Sequence, residues 1–204
     1  MAWFIVSLVV ATVPLVLSVD RYVPRRGFVF WAVWSIAVAA WSAIVSSTHN
    51  ERHLDRLEWI AFGVVAAAVG CLVAIDVAVK RLPLVISYGS LALASVLLAM
   101  SWRSTWSGIG SAATGATSMF AIAWLLSRFR TGLGRGDVHV APLLGLVIGW
   151  FDPWNVLIAW FFTLLVGGLV SALLLGSRRI ARRSTIPYGP FLVLGSAIAI
   201  SLAV

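Results

Sequence analysis

Two aspartates of this 204-residue chain stand apart from its other acids because they lie in or beside apolar stretches. Asp76 lies inside the run GCLVAIDVAVK, and Asp137 precedes a second apolar run in TGLGRGDVHVAPLLG. A carboxylate at membrane depth costs a few kcal/mol, so it usually faces a bundle interior or a water-filled cavity and has a function there. The other acids lie in polar joints and turns, where capping and ion pairing explain them: Asp20, Glu51, Asp55, Glu58 and Asp152.

Paired carboxylates in a poorly hydrated site could hydrolyse a peptide bond. Both cannot ionise cheaply, so one proton is held between them; the ionised acid takes a proton from water while the other donates to the carbonyl oxygen. Gly134 and Gly136 allow a tight turn and a close approach before Asp137, where the helix start favours negative charge. A purely structural interpretation is also open, in which Asp76 pairs with Lys80, four residues on, and Asp137 caps a helix.

The composition predicts that these acids are carried by an all-α integral membrane protein. Hydrophobic residues make up 61% of the chain, charged residues 11%, and the mean hydropathy is +1.02. The apolar blocks have the length at which a helix crosses ~30 Å of hydrocarbon and exceed the length of a membrane strand. We predict one domain, residues 1–204, that forms a polytopic transmembrane helix bundle. Its eight expected helices cover residues 2–19, 28–46, 59–79, 83–101, 106–127, 138–151, 154–176 and 187–204.

The basic residues predict how the bundle is oriented in the lipid bilayer. Most of the 15 Lys and Arg residues lie in the odd-numbered joints between the predicted helices, which the positive-inside rule places in the cytoplasm. Both termini are then on the outer side of the inner (plasma) membrane, and both aspartates lie near its cytoplasmic face. Because the net charge of +8 is spread over these joints, it indicates orientation and not nucleic-acid binding. The sequence does not define an oligomeric state.

The cysteine and histidine patterns give no metal or cofactor site. The single cysteine, Cys71, cannot form a disulfide within the chain and excludes a cysteine zinc site. In HNERH the glutamate, Glu51, follows the first histidine by two residues, whereas a zinc protease HExxH requires it to follow by one. We therefore expect no metal site from these residues.

Three segments in order, IDVAVKRLP, GRGDVHVAPLLGLVIGW and IPYGPFLVLG, resemble the signature segments of the prepilin peptidases, or type IV leader peptidases, which are membrane aspartyl proteases of the GxGD type. The resemblance covers about residues 70–200. It implies that Asp76 and Asp137 are the catalytic pair, acting without metal or cofactor. It also implies that the substrate is a pilin-like precursor, a type IV prepilin or pseudopilin, whose basic leader is removed at the cytoplasmic membrane face, just before its hydrophobic helix.

The same resemblance assigns supporting residues and exposes departures from the family pattern. Pro187, Gly189 and Pro190 are expected near the catalytic opening, with the plain start of a helix as the alternative. His139 stands where the family usually has Lys, so it either tunes the acid pair, contacts substrate or only makes a local hydrogen bond. Leu84 stands where the family usually has a polar residue. The paired CxxC motifs associated with methylation are missing after the first predicted helix, so methyltransferase activity is not expected.

Two other functions stay open. A GxGD protease could cut within transmembrane segments, but its PAL element is replaced here by IPYGPF. A non-enzymatic transporter or assembly scaffold could use the two acids to relay protons or to pair with Lys80 and Arg135. The small-residue stretch SGIGSAATGATS predicts a face for close helix packing, with self-association as the alternative.

Overall fold

A computed structural model describes residues 35, 38, 54–79, 82–101, 106–129, 133–177 and 188–202. Within these ranges the protein is helical and contains no strand, which confirms the all-α class. The six helices of these ranges are α1 (Arg56–Val79), α2 (Leu84–Met100), α3 (Trp106–Arg128), α4 (Arg135–Phe151), α5 (Asn155–Gly176) and α6 (Gly189–Leu202). The first two predicted helices lie outside the described residues except for Ser35 and Val38, which are helical. The count of eight helices and the side on which the termini lie therefore stay predictions.

Three of these helices are long and apolar enough to cross a membrane, over Arg56–Asp76, Gly108–Arg128 and Asn155–Gly176. Helices α2 and α6 are apolar but shorter, with 17 and 14 residues. These lengths and compositions support a membrane location for the bundle.

Hydrogen bonds at the start of α1 explain why this helix begins three residues before its predicted first residue. The Asp55 amide donates to Glu58 Oε2 at 2.8 Å, and the Arg56 amide donates to Asp55 Oδ1 at 2.7 Å. These bonds satisfy amides that lack partners at a helix start, so the helix begins at Arg56 and not at residue 59. The structural explanation of Asp55 and Glu58 is confirmed.

Helices α1 and α4 form the centre of the bundle. Of the apolar span of α1, 94% is buried, compared with 22% for α3 and 28% for α5. Helix α3 packs along α4, α5 packs along α6, and α2 packs on both α1 and α4. Thirteen of the 17 residues of α4 are buried, so the two helices that carry the aspartates are enclosed by the others.

Glycines allow α3 and α4 to pack with their backbones in contact. A Cβ added to Gly115 would lie 2.5 Å from the Cα of Gly149 and would also meet the Gly145 carbonyl oxygen. Beside this contact the Ser111 hydroxyl donates to the Gly149 carbonyl oxygen at 2.7 Å. The small-residue stretch predicted from the sequence is therefore a packing face within the chain.

This contact predicts a selective loss of stability. We expect Gly115→Ala to lower the free energy of unfolding by about 1–3 kcal/mol, because the new methyl group meets backbone atoms that no rotamer change can move. The matched control is Gly110→Ala on the same helix, where a Cβ meets no atom within 4 Å and alanine favours the helix. Thermal unfolding in detergent measures both variants, and equal melting temperatures would contradict the close contact.

Candidate active site

The structure brings the two predicted catalytic acids together. Asp76 lies in the last turn of α1 and Asp137 in the first turn of α4, with only 7% and 4% of their surface exposed. A Cβ added to Gly189 would lie 3.0 Å from Asp76 Oδ2 and 3.7 Å from Asp137 Oδ1. The two carboxylate oxygens are therefore less than about 7 Å apart, the sum of these distances. At this separation in a buried site, the charge of one acid acts strongly on the other.

The two oxygens of Asp137 have different surroundings. Oδ2 accepts a hydrogen bond from the Gly134 amide at 2.9 Å, while the Asp137 amide donates to the Gly134 carbonyl oxygen at 3.1 Å. These bonds cap the start of α4, which is why the helix begins at Arg135 and not at residue 138. Oδ1 is the oxygen near Gly189 and Asp76. The sequence left open whether Asp137 caps a helix or pairs with Asp76. Its side chain does both, with one oxygen for each.

Space, not backbone conformation, explains the glycines before Asp137. Gly134 is extended, with φ −71° and ψ 152°, a conformation open to any residue. A Cβ there would lie 3.2 Å from Asp137 Oδ2, and one on Gly136 would lie 3.0 Å from the side chain of Leu82. The close approach expected from the sequence is therefore present. Glycine is required at Gly134 by the nearby Asp137 side chain and not by a tight turn.

The third signature segment closes the site from α6. Gly189 begins this helix and is buried, and Pro190 occupies the first turn, where its missing amide hydrogen costs no helix bond. The absence of a Cβ at Gly189 is what leaves room for both carboxylates. Pro187 and Lys80 lie outside the described residues, so the role of Pro187 and the pairing of Lys80 with Asp76 stay predictions.

A cavity of about 490 Å³ opens at the acid pair. It is lined by both acids together with Leu82, Leu84, Gly134, Arg135, Gly136 and His139. The cavity therefore forms an opening beside two carboxylates that are otherwise shielded. The apolar side chain of Leu84 lines this cavity. The family that the sequence resembles usually has a polar residue at this position.

His139 makes a hydrogen bond that links two helices. The Tyr88 hydroxyl of α2 and His139 Nδ1 are 2.7 Å apart, and the two rings meet edge to face with their centres 5.7 Å apart. The partner is 51 residues away in the chain, so the bond is not local. It holds the side chain of His139 at the edge of the acid cavity.

Two tyrosines at this site were not singled out from the sequence. Tyr88 follows Pro83 by five residues, and its hydroxyl in an apolar helix was the available signal. Tyr188 immediately precedes Gly189 and is buried. Its hydroxyl lies beside α5, 3.0 Å from where a Cβ on Gly167 would be.

Fold and site together define a class of protein: a helical membrane protein that places two buried carboxylates at one end of its bundle, beside an open cavity. Residues 63–174, which include both acids, match the Type IV leader peptidase family, and the chain belongs to that family. The family resemblance predicted from the sequence is confirmed, and the third segment, IPYGPFLVLG, lies beyond the matched residues.

A curated relative gives the same indication. The prepilin leader peptidase/N-methyltransferase of Bacillus subtilis (strain 168) is 30% identical over 107 residues. The aligned part is 52% of this chain and 41% of that protein, so the chain spans well under half of its relative. No solved structure matches the chain.

The position of Gly189 predicts how sensitive the acid pair is to added volume. For the cleavage of a prepilin that is proposed below, we expect Gly189→Ala to lower the rate about tenfold, because its methyl group would displace the Asp76 carboxylate from Asp137. Gly168→Ala is the matched control, since a Cβ there meets no atom within 4 Å. Initial rates at equal amounts of inserted protein test this, and unchanged activity of Gly189→Ala would show that the acids tolerate separation.

Proposed function

We propose that this chain is an aspartic endopeptidase of the inner (plasma) membrane that removes the basic leader of a pilin-like precursor, a type IV prepilin or pseudopilin, at the cytoplasmic face. The observation that carries the proposal is the approach of Asp76 and Asp137 to one point beside Gly189, at the wall of an open cavity. Family membership and the name of the Bacillus subtilis relative support the substrate class.

The mechanism follows from one proton shared by two acids. The ionised carboxylate takes a proton from a water molecule in the cavity as the water oxygen attacks the scissile carbonyl carbon. The protonated acid donates its proton to the carbonyl oxygen, which gives a neutral tetrahedral intermediate. When the C–N bond breaks, the leaving nitrogen takes the proton that the pair received from water. A hydroxyl of the intermediate then returns its proton to the other acid as the new carboxyl group forms, so the pair again holds one proton. Both acids act as one titrating unit, so neither is assigned a fixed role.

Arginines at the same end of the bundle support a cytoplasmic location for the site. Arg128 ends α3 and Arg135 begins α4, and Asp76 and Asp137 lie at this end of the bundle. Basic residues at helix ends mark the cytoplasmic side. The proposal is limited to cleavage of the peptide bond and does not include methylation. In the family, methylation is associated with paired CxxC motifs, and this sequence has a single cysteine, Cys71.

The proposal predicts that neither acid can be neutralised. We expect Asp76→Asn and Asp137→Asn each to lower cleavage of a prepilin with a basic leader by about 1000-fold, because each removes the shared proton cycle while keeping side-chain size. The matched control is Asp152→Asn at the opposite end of α4, where the carboxylate accepts a bond from the Trp154 amide at 3.0 Å. Its cleavage should equal that of the wild type.

Three results of this assay would contradict the proposal. Full cleavage by either variant of the pair would remove the acid pair from the mechanism. A cut within the apolar helix of the precursor would instead indicate an intramembrane GxGD protease. A correctly inserted wild-type chain that cleaves nothing would favour a transporter or scaffold.

A shared proton also predicts the dependence of cleavage on pH. We expect kcat/KM to fall at low pH, where both carboxyls are protonated and no base remains, and at high pH, where both are ionised and no acid remains. The measurement is kcat/KM for detergent-solubilised protein across the pH range in which its melting temperature is constant. A rate that rises or falls in one direction only would show that a single group titrates.

A further inference from the structure

A second cavity lies between α2 and α3, with α4 beneath it. It has a volume of about 290 Å³, and its walls come from residues 91–99 of α2 and 109–117 of α3. Leu146 and Trp150 of α4 form its floor. Helices α2 and α3 each pack on α4 far more than on each other, which leaves the space between them open. We call this cavity the helix groove.

Helix α2 connects the acid cavity to the helix groove. Leu84 lines the acid cavity, whereas Leu91 and Ser95 line the groove. The spacings of seven and four residues place all three on one face of the helix. Tyr88, four residues after Leu84, lies on the same face between the two cavities.

Helix α4 repeats this arrangement with the same spacing. His139 lines the acid cavity, and Leu146 and Trp150, seven and eleven residues on, line the helix groove from the same face. The two cavities therefore lie in line along α2 and α4, and the hydrogen bond between Tyr88 and His139 lies between them. We call the two cavities together the trough. From His139 to Trp150 the trough follows α4 for about 16 Å.

The trough changes from polar to apolar in one direction. The acid cavity contains Asp76, Asp137 and Arg135, whereas the described lining of the helix groove contains no charged residue. A pilin-like precursor has the same order, with a basic leader that precedes an apolar helix. A precursor bound along the trough thus places the bond before its helix at the acids.

Small side chains shape the α3 wall for a helix. Ala112, Ala113 and Ala116 line it at helical spacing. In lipid, helices associate through close van der Waals packing at small residues and not through the hydrophobic effect. We propose, on the basis of the proposed function, that the first turns of the precursor's apolar helix bind in the helix groove, with the Tyr88–His139 pair at the junction between helix and cleavage site.

Cysteine cross-linking tests the position of the precursor directly. Ser95→Cys is combined with Asp137→Asn to retain uncleaved precursor, and single cysteines are scanned along the precursor's apolar helix. We expect disulfides about seven residues after the start of the precursor's apolar helix, which matches the spacing from Tyr88 to Ser95, recurring every three to four residues, at yields at least about tenfold above the control. The control is Leu169→Cys on α5, a side chain that is 59% exposed. The chain with only Cys71, which is fully buried, measures the background.

Several cross-linking results would overturn the proposal. Equal yields from the two engineered cysteines would show that the helix has no preferred position. A dominant disulfide to a second copy, or to residues 1–53 of the same chain carrying a test cysteine, would identify another occupant of the helix groove. Cleavage of the same precursor by the wild-type chain is measured separately, so loss of cross-linking with intact cleavage overturns the docking site and leaves the proposed function standing.

A steric variant gives an independent measurement. We expect Ala113→Phe, which fills the helix groove, to raise KM about tenfold while kcat changes less than about twofold, because binding is lost and the acids are untouched. Ala121→Phe is the matched control, since Ala121 is exposed on α3 and does not line the groove. An unchanged KM for Ala113→Phe in a correctly inserted protein would overturn the proposal.

Discussion

The approach of two buried carboxylates is the constraint on which this structure depends. Two acids that lie close together and away from water cannot both ionise cheaply, so the site persists only if its surroundings hold both side chains, and one proton between them, in place. Three elements do so: nearly complete burial of α1 fixes Asp76, the cap at Gly134 fixes one oxygen of Asp137, and Gly189 supplies the space in which they meet. Packing of α4 on α3 through glycine keeps this geometry from relaxing.

The two acids themselves were the part of the candidate site most readable from the sequence. Carboxylates in apolar stretches are costly, so Asp76 and Asp137 stood out without any structure. The lengths of the apolar blocks predicted the ends of the described helices to within about three residues. The predicted starts of α1 and α4 were wrong because capping acids begin each helix earlier in the chain. The sequence could not show that Asp137 caps and pairs at once, because that depends on which of its two oxygens faces which partner.

The link between Tyr88 and His139 and the trough it divides could not be predicted from the sequence. Both depend on how α2 crosses α4, and contacts across 51 residues leave no local pattern. Helix α2 is apolar nearly all round, so periodicity does not distinguish the face that lines the trough from the face that meets lipid. Only the packing of three helices separates the charged end of the trough from its apolar end.

Because α4 is enclosed by other helices, its neighbours determine how deep the acids lie in the bilayer. With 17 residues this helix is about 25 Å long, shorter than the ~30 Å of hydrocarbon in a typical bilayer. A lipid-facing helix of this length would respond to hydrophobic mismatch by tilting or by thinning the bilayer around it. Because α4 is surrounded by protein and in backbone contact with α3, it responds to the bilayer only through its neighbours, so the level of the carboxylates follows the outer helices α3 and α5.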